Sequence, residues 1–317
     1  MSFPLTVLIT GCAGFIGSHL CEMFVSEGHF VIGMDNFLTG TQDNIAHLLR
    51  ERRFDFIYYN VVNYIYVQSR IDLVIHLACP ASPADYSKHP IHTMKVDSLG
   101  TFNTLGLARQ KGARYLFASS SEIYGQAQVH PQPETYFGYV NPTGPRSVYS
   151  EAKRFSEALC MAYHRQHSMD IRIARIFNTY GPKMRLNDGR VVPSLISSAL
   201  SGEPLKIHGD GTQTRSFCYI DDLILGLYLL ATKEGLSGKS LNLGSPQEIS
   251  ILELAKEIIR ISSSTSEIVH LPPRPEDPQR RCPDITLART LLGWNPTIDI
   301  STGLSKTIEF FKHKTAP

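Results

Sequence analysis

The sequence predicts an α/β protein: a doubly wound parallel sheet of the Rossmann type with a smaller, discontinuous α+β lobe. Three observations carry that reading. Short aliphatic runs alternate with longer stretches of helical spacing. A glycine-rich turn stands between the first run and the first helix. After Gly181-Pro182 the alternation gives way to short helices, isolated strand candidates and proline-rich connections.

The runs Leu5 to Ile9, Phe30 to Met34, Leu73 to His76, Tyr115 to Ala118 and Ile171 to Ile176 read as buried strands of a parallel sheet covered on both faces. Phe15 to Ser26, Thr93 to Arg109 and Val148 to His167 read as covering helices. The main domain is expected over 1–178, completed by segments within 217–245, where Asp221 to Leu230 and Ser240 to Leu243 offer a helix and a strand returning to the sheet. The second lobe is expected over 179–216 and 246–317, with Pro272, Pro273, Pro275 and Pro278 crowded before Arg281. There is no internal repeat, and Ser262 to Ser266 is the one brief low-complexity turn.

Composition narrows the function classes. The 317 residues suffice for a buried core, and the net charge of +2 comes from balanced acids and bases without long same-sign runs. That pattern leaves no electrostatic footprint for nucleic acid, so an anionic ligand must be met locally. Six cysteines lie scattered without zinc spacing, which points to buried thiols in a reducing cytosol, and no metal is expected. The start turns at once into a strand pattern without a secretory leader, and nowhere do about 18 uncharged apolar residues run together. A cytoplasmic protein without a membrane anchor is expected.

The segment Val7 to Gly17 carries G-x-x-G-x-x-G at Gly11, Gly14 and Gly17. Glycines let the turn approach a pyrophosphate and let the helix pack on the sheet, while free helix-terminal N–H groups meet the phosphate charge. Asp35 ends the next strand about 20 residues on, where a ribose acceptor is expected, and its charge favours NAD over NADP. The competing reading makes Asp35 an ordinary turn residue before Asn36.

Tyr149 and Lys153 stand at i, i+4 spacing, so both side chains reach one helix face. A tyrosine with a pKa of about 10 is a poor base at neutral pH, whereas an adjacent ammonium and a nicotinamide cation favour its phenolate. Alone, such a pair is two surface residues; after the glycine fingerprint it reads as catalytic. The strand Tyr115 to Ala118 runs into Ser119-Ser120-Ser121-Glu122-Ile123-Tyr124-Gly125, which puts hydroxyls and a carboxylate at the carboxyl edge of the sheet. Ser120 is placed to bond the hydroxyl being oxidised. The alternative there is a serine-rich turn closed by Gly125.

Ser120, Tyr149 and Lys153 together resemble the extended short-chain dehydrogenase/reductase family, whose hydroxyl residue, tyrosine and lysine remove a proton while NAD takes a hydride. The resemblance extends to the UDP-glucuronate decarboxylases through His76 to Pro83, His130 to Glu134, Asn141 to Arg146, Phe177 to Pro182, Asn187 to Val192, Gln213 to Phe217 and Pro283-Asp284-Ile285. It covers nearly the whole chain. It implies a lyase: Tyr149 deprotonates the sugar C4 hydroxyl, the 4-keto group acts as electron sink for loss of carbon dioxide, and the hydride then returns to give UDP-xylose with NAD recycled.

The resemblance also implies site residues. Cofactor contacts are expected at Gly11, Gly14, Phe15, Ile16, Gly17, Asp35, Asn36, Asn60, Val61, Leu77, Ala78, Ala118, Tyr149, Lys153 and Thr179. Asn60-Val61 stands where relatives usually carry Asp-Val beside the adenine. Substrate contacts are expected at Lys95, Asn103, Ser120, Asn178, Arg190, His208, Gln213, Arg215 and Arg281. Lys95 is the firmer of the two residues on the Thr93 to Arg109 helix, and His208 replaces an aromatic residue near uracil. Arg281 is expected to orient the glucuronate carboxylate; otherwise it neutralises Asp277 or Asp284 at the surface. Glu122, without the adjacent aspartate of 4,6-dehydratases, is expected to manage water, ring shape or C5 protonation. The helices Thr93 to Arg109 and Val148 to His167 are expected to form a homodimer interface. Two alternatives stay open: another nucleotide-sugar modifier on this fold, such as a 4-epimerase or 4,6-dehydratase, and a non-catalytic binding protein for NAD or a nucleotide sugar.

Overall fold

Short apolar segments that cannot satisfy their backbone alone pair edge to edge, and helices between them cover both faces. The computed structural model describes residues 4–273 and 279–315. Pro275, Asp277 and Pro278, named above, lie outside the described residues. The first half runs β1 (Thr6–Thr10), α1 (Phe15–Ser26), β2 (Phe30–Asp35), β3 (Phe54–Tyr58), β4 (Leu73–His76), α2 (Pro83–Lys88), α3 (Pro90–Lys95), α4 (Thr101–Lys111), β5 (Arg114–Ser120), α5 (Ser147–His167) and β6 (Ile171–Ile176). The second half runs β7 (Thr179–Tyr180), α6 (Val191–Ser201), β8 (Leu205–His208), β9 (Thr214–Ser216), β10 (Cys218–Tyr219), α7 (Ile220–Thr232) and β11 (Ser240–Leu243). It closes with β12 (Glu248–Ser250), α8 (Ile251–Ser262), β13 (Ile268–Leu271), β14 (Arg280–Arg281), α9 (Thr286–Leu292) and α10 (Ile300–Thr315).

The main sheet has the order β11-β6-β5-β4-β1-β2-β3, with every neighbouring pair parallel. Successive side chains feed opposite layers. Val7 and Ile9 pack in one core with Leu20, Phe24, Leu223 and Leu227, while Leu8 joins the other with Leu105, Phe117 and Cys160. Burial on both faces is why these strands read as unbroken apolar runs. β3 is the strand those runs do not reveal. It lies at the sheet edge, where Asp55 and the exposed Tyr58 interrupt its apolar pattern.

The stretch expected as one helix from Thr93 to Arg109 is α3 and α4 joined by a single wider π turn at Val96–Gly100. Backbone dihedrals stay helical across both junctions, so the rod continues while its faces rotate. Three smaller sheets stand beside the main one: β12-β9-β14, β13-β8 and β10-β7. In the first, Arg281 pairs in register with Arg215.

The C-terminal elements dock on α7 through one carboxylate. Asp222 accepts from the Ile298 N–H at 2.9 Å and the Thr297 hydroxyl at 3.1 Å, while its backbone carbonyl accepts from the buried Trp294 indole at 2.8 Å. Among the described residues, no helix is long and apolar enough to cross a membrane. Asp222→Ala leaves the half-buried Ile298 N–H and the Thr297 hydroxyl without their acceptor and should lower unfolding stability by about 1 kcal/mol. Urea titration followed by circular dichroism reads this as an earlier midpoint; an unmoved midpoint would show that the anchor is redundant.

Candidate active site

Strand order reverses between β1 and β4, so the connections leaving their carboxyl ends diverge and open a crevice. A cleft of about 420 Å³ occupies it. Its floor is the turn from β1 into α1. Gly11 has a φ of 73°, and a Cβ there would stand 2.8 Å from the Ala78 nitrogen on the adjoining strand's exit. Gly17, one turn into α1, would bring a Cβ to 2.0 Å from the Gly11 carbonyl oxygen. Gly17 needs glycine for contact alone, and Gly11 for contact and for its left-handed backbone as well. Gly14 precedes α1 without a side-chain cap, which leaves the first N–H groups of the helix open toward the cleft.

Asp35 stands beside this turn. Its carboxylate accepts from the Ala13 N–H at 3.0 Å and the Phe37 N–H at 2.8 Å. Burial raises its pKa while these N–H donors oppose the rise. A glycine turn that admits no Cβ, open helix-terminal donors and a carboxylate at the end of β2 fit a dinucleotide.

Every residue expected at the cofactor lines this one cleft: Gly11, Gly14, Phe15, Ile16, Gly17, Asp35, Asn36, Asn60, Val61, Leu77, Ala78, Ala118, Tyr149, Lys153 and Thr179. Ser120, Glu122, Asn178, Arg190, His208, Gln213, Arg215 and Arg281 line it too. Asn60 uses its side-chain oxygen to accept from the Val62 N–H at 3.2 Å. His208 is half-buried, and its Nδ1 bonds the Pro272 carbonyl at 3.0 Å, which orients the ring.

Lys95 and Asn103 require correction, because neither lines the cleft. Thr93, Val96, Asp97 and Gly100 face inward across the π turn, so Lys95 falls on the exposed side of the rod. Asn103 donates to the Val61 carbonyl at 3.0 Å and the Asn63 carbonyl at 2.8 Å. Its work is to hold the loop after β3 from behind.

Tyr149 and Lys153 are buried on the inner face of α5. Tyr86 of α2 stacks on Tyr149 with ring centroids 5.4 Å apart and planes at 10°. Burial pushes the Tyr149 phenol above its ordinary value, against the pull of Lys153 and of a hydrogen bond with Ser120. The Lys153 ammonium donates to Asp97 at 2.9 Å and to the Ala118 carbonyl at 3.0 Å. Burial, the largest single influence, lowers the lysine's pKa; Asp97, with Cys79 and Tyr149, together outweigh it and the net direction is up.

Glu122 follows β5 in a tight turn, where the Ser120 hydroxyl accepts from its N–H at 3.2 Å. Its carboxylate accepts from Arg281 and, at 3.0 Å, from Arg146. Burial raises the carboxyl's pKa, but the two guanidinium groups override it and hold the value down to about 2. Glu122 is therefore ionised across neutral pH, which fits an acceptor and orienting group and disfavours the C5-protonation role considered from sequence. Arg281 also donates to the Gly125 carbonyl at 3.1 Å.

A buried polar network holds Arg281 in place. The Gln132 side chain accepts from the Cys282 N–H at 2.9 Å, and the Gln132 N–H donates back to the Cys282 carbonyl at 2.9 Å. Asn242 donates to the carbonyls of Gln132 and Asp284 and accepts from the Tyr124 hydroxyl. The His130 to Glu134 stretch is thus a brace for β14 and for the turn carrying Glu122.

Sequence reasoning missed Asp97, Arg146 and Tyr86 as site residues. Arg146 lay inside a quoted motif, immediately before α5, and a basic residue there was the available signal. Asp97 and Tyr86 sit on helical segments whose inward faces are set by tertiary packing, and no local pattern marks them.

The GDP-mannose 4,6-dehydratase family matches residues 8–307 of the chain. The chain belongs to this family. Within it, UDP-glucuronic acid decarboxylase 1 of Xenopus tropicalis is 48% identical over 306 residues, covering 96% of this chain and 72% of that protein. UDP-glucuronic acid decarboxylase 5 of Arabidopsis thaliana is 46% identical, covering 97% of this chain and 89% of its own length. Among solved structures, the UDP-glucuronic acid 4-epimerase of Bacillus cereus, in complex with UDP-glucuronic acid and NAD, superposes with a TM-score of 0.88 at 32% identity, covering 98% of this chain and 100% of that one.

The glycine contact gives a direct test. Gly17→Ala should displace the turn at Gly11 and weaken dinucleotide affinity at least about tenfold, or about 1.4 kcal/mol. Calorimetric titration with NAD measures it; full affinity would show that the turn has room the geometry denies.

Proposed function

We propose that this chain is an NAD-dependent carboxy-lyase that converts UDP-glucuronate to UDP-xylose and carbon dioxide. The observation that carries the reading is Glu122, held between Arg281 and Arg146 in the cleft that also holds Tyr149 and Lys153. The decarboxylase names of relatives at 46 and 48% identity support it. The Bacillus cereus structure shows that this fold accommodates UDP-glucuronic acid together with NAD.

Residues 1–178, with segments within 217–245, hold NAD; 179–216 and 246–317 hold the UDP-sugar. Gly11, Gly14 and Gly17 admit the pyrophosphate, and Asp35 meets the adenosine ribose. Asn178, Arg190, His208, Gln213 and Arg215 receive the UDP end, where guanidinium groups suit diphosphate oxygens. When bound, NAD supplies the hydride acceptor for C4 and gives the hydride back at the end. Ser120 orients the C4 hydroxyl, and Tyr149 takes its proton. The ketone so formed is beta to the C6 carboxylate, which lets carbon dioxide depart and leave its electrons in an enolate; the enolate takes a proton at C5, and Tyr149 returns its proton to the C4 oxygen as C4 is reduced.

Arg281 faces the carboxylate end, and Glu122 tempers it. An unshared arginine would stabilise the charged reactant more than the departing neutral product and so raise the barrier. With Glu122 taking part of its charge, Arg281 can orient the carboxylate without trapping it.

Incubation with UDP-glucuronate and NAD, followed by mass spectrometry, should show loss of carbon dioxide and a pentose product. Tyr149→Phe should lose at least about a hundredfold in turnover, and Glu122→Ala should slow decarboxylation. Release of a C4 epimer without carbon dioxide would instead make the chain an epimerase.

Two copies pair through the α3, α4 and α5 face, which exposes Met94, Leu99, Phe102 and Phe155. Contiguous apolar side chains of this size favour a protein partner over water. Sedimentation equilibrium should give twice the chain mass, and Phe102→Glu should return it to the chain mass; a wild-type monomer at micromolar concentration would remove the pairing.

A further inference from the structure

Behind Tyr149 lies a buried charge that the chemistry above does not use. Asp97 is fully buried in the π turn between α3 and α4, and Lys153 opposite it is 3% exposed. One carboxylate oxygen takes the lysine ammonium at 2.9 Å, and the other accepts from the Cys79 thiol at 3.1 Å. The backbone is pinned as well, since Ser156 of α5 donates to the Asp97 carbonyl and accepts from the Thr101 hydroxyl at 3.2 Å. A π turn sets its residues at an angle that a regular helix does not offer, and here it delivers a carboxylate to the base of the catalytic pair.

We propose that Asp97 is a positioning residue that sets the proton affinity of Tyr149 by neutralising the charge of Lys153. The proposal rests on the reading of Tyr149 as the catalytic base. An ammonium beside a phenol favours the phenolate, but a carboxylate in contact with that ammonium offsets part of its field at the phenol. The other groups around the pair do not restore it. Tyr86 and Ser120 meet Tyr149 as neutral groups. Cys79 and Cys160, whose thiols burial pushes up, are neutral, and so is His76, pushed down to about 3 chiefly by burial and then by Lys153.

The consequence is a base that waits. With Lys153 and Asp97 summing to zero, the Tyr149 phenol keeps its proton in the cofactor-free protein. A further positive charge, such as that of the oxidised nicotinamide, is what makes its loss favourable. Tyr149 then accepts the C4 proton when the cofactor is able to oxidise, and returns it once that charge is gone.

Asp97→Asn keeps the shape and an acceptor for Lys153 but removes the charge, leaving Tyr149 as the nearest counter-ion for a buried ammonium. Phenolate absorbance would be titrated in cofactor-free protein, each variant read against the same variant carrying Tyr149→Phe to subtract the other tyrosines. Tyr149 should titrate about one to two pH units lower in Asp97→Asn. The acid limb of kcat should move in the same direction, with KM changed less than about twofold. A Tyr149 titration unmoved or moved upward in Asp97→Asn overturns the proposal.

Should that variant fail to fold, Cys79→Ala carries the test. Losing the thiol hydrogen bond leaves the Asp97 carboxylate less shared and its hold on Lys153 stronger, so Tyr149 should titrate higher; no change or a fall overturns the assignment. The absorbance readout is independent of turnover. If the shifts appear while the wild type releases no carbon dioxide from UDP-glucuronate, the role of Asp97 stands and the decarboxylase reading falls.

Discussion

Two guanidinium groups on one buried carboxylate form the contact around which the site is assembled. Glu122 follows the central sheet, Arg146 precedes α5, and Arg281 lies on β14, so three distant segments meet at one carboxylate oxygen, Oε1. A buried carboxylate without such partners would take up a proton, and a buried arginine without an acceptor would be costly to desolvate. Each group makes the burial of the others tolerable. The arrangement keeps a surplus of one positive charge at the end of the cleft, where an acidic sugar needs it.

The same economy of charge recurs behind Tyr149, where Lys153 and Asp97 form a second buried pair. The two pairs face different parts of one reaction. Around Glu122 two guanidinium groups share one carboxylate, and behind Tyr149 one ammonium meets one carboxylate. Ser120 stands between them, its hydroxyl accepting from the Glu122 N–H on one side and bonding Tyr149 on the other.

Much of the architecture was legible because it depends on local regularities. Strands buried on both faces leave continuous apolar runs, and the glycines betray a turn where a Cβ has no room. Tyr149 and Lys153 were legible because helical spacing alone puts them on one face. Legibility ended where a residue's orientation depended on a distant partner. Lys95 ends α3 on its exposed side, Asn103 was drawn to the loop after β3, and Asp97 acquired meaning only from Lys153 on another helix. β3 escaped notice because an edge strand can afford polar and exposed residues.

Arg281 sits on a strand of only two residues, fastened by reciprocal bonds between Gln132 and Cys282 and by Asn242 beneath them. Nothing in that fastening passes through the turn at Gly11 or the pair at Tyr149 and Lys153. A strap held by its own knots keeps its arginine in place without drawing on the glycine turn or the helix that carries Tyr149.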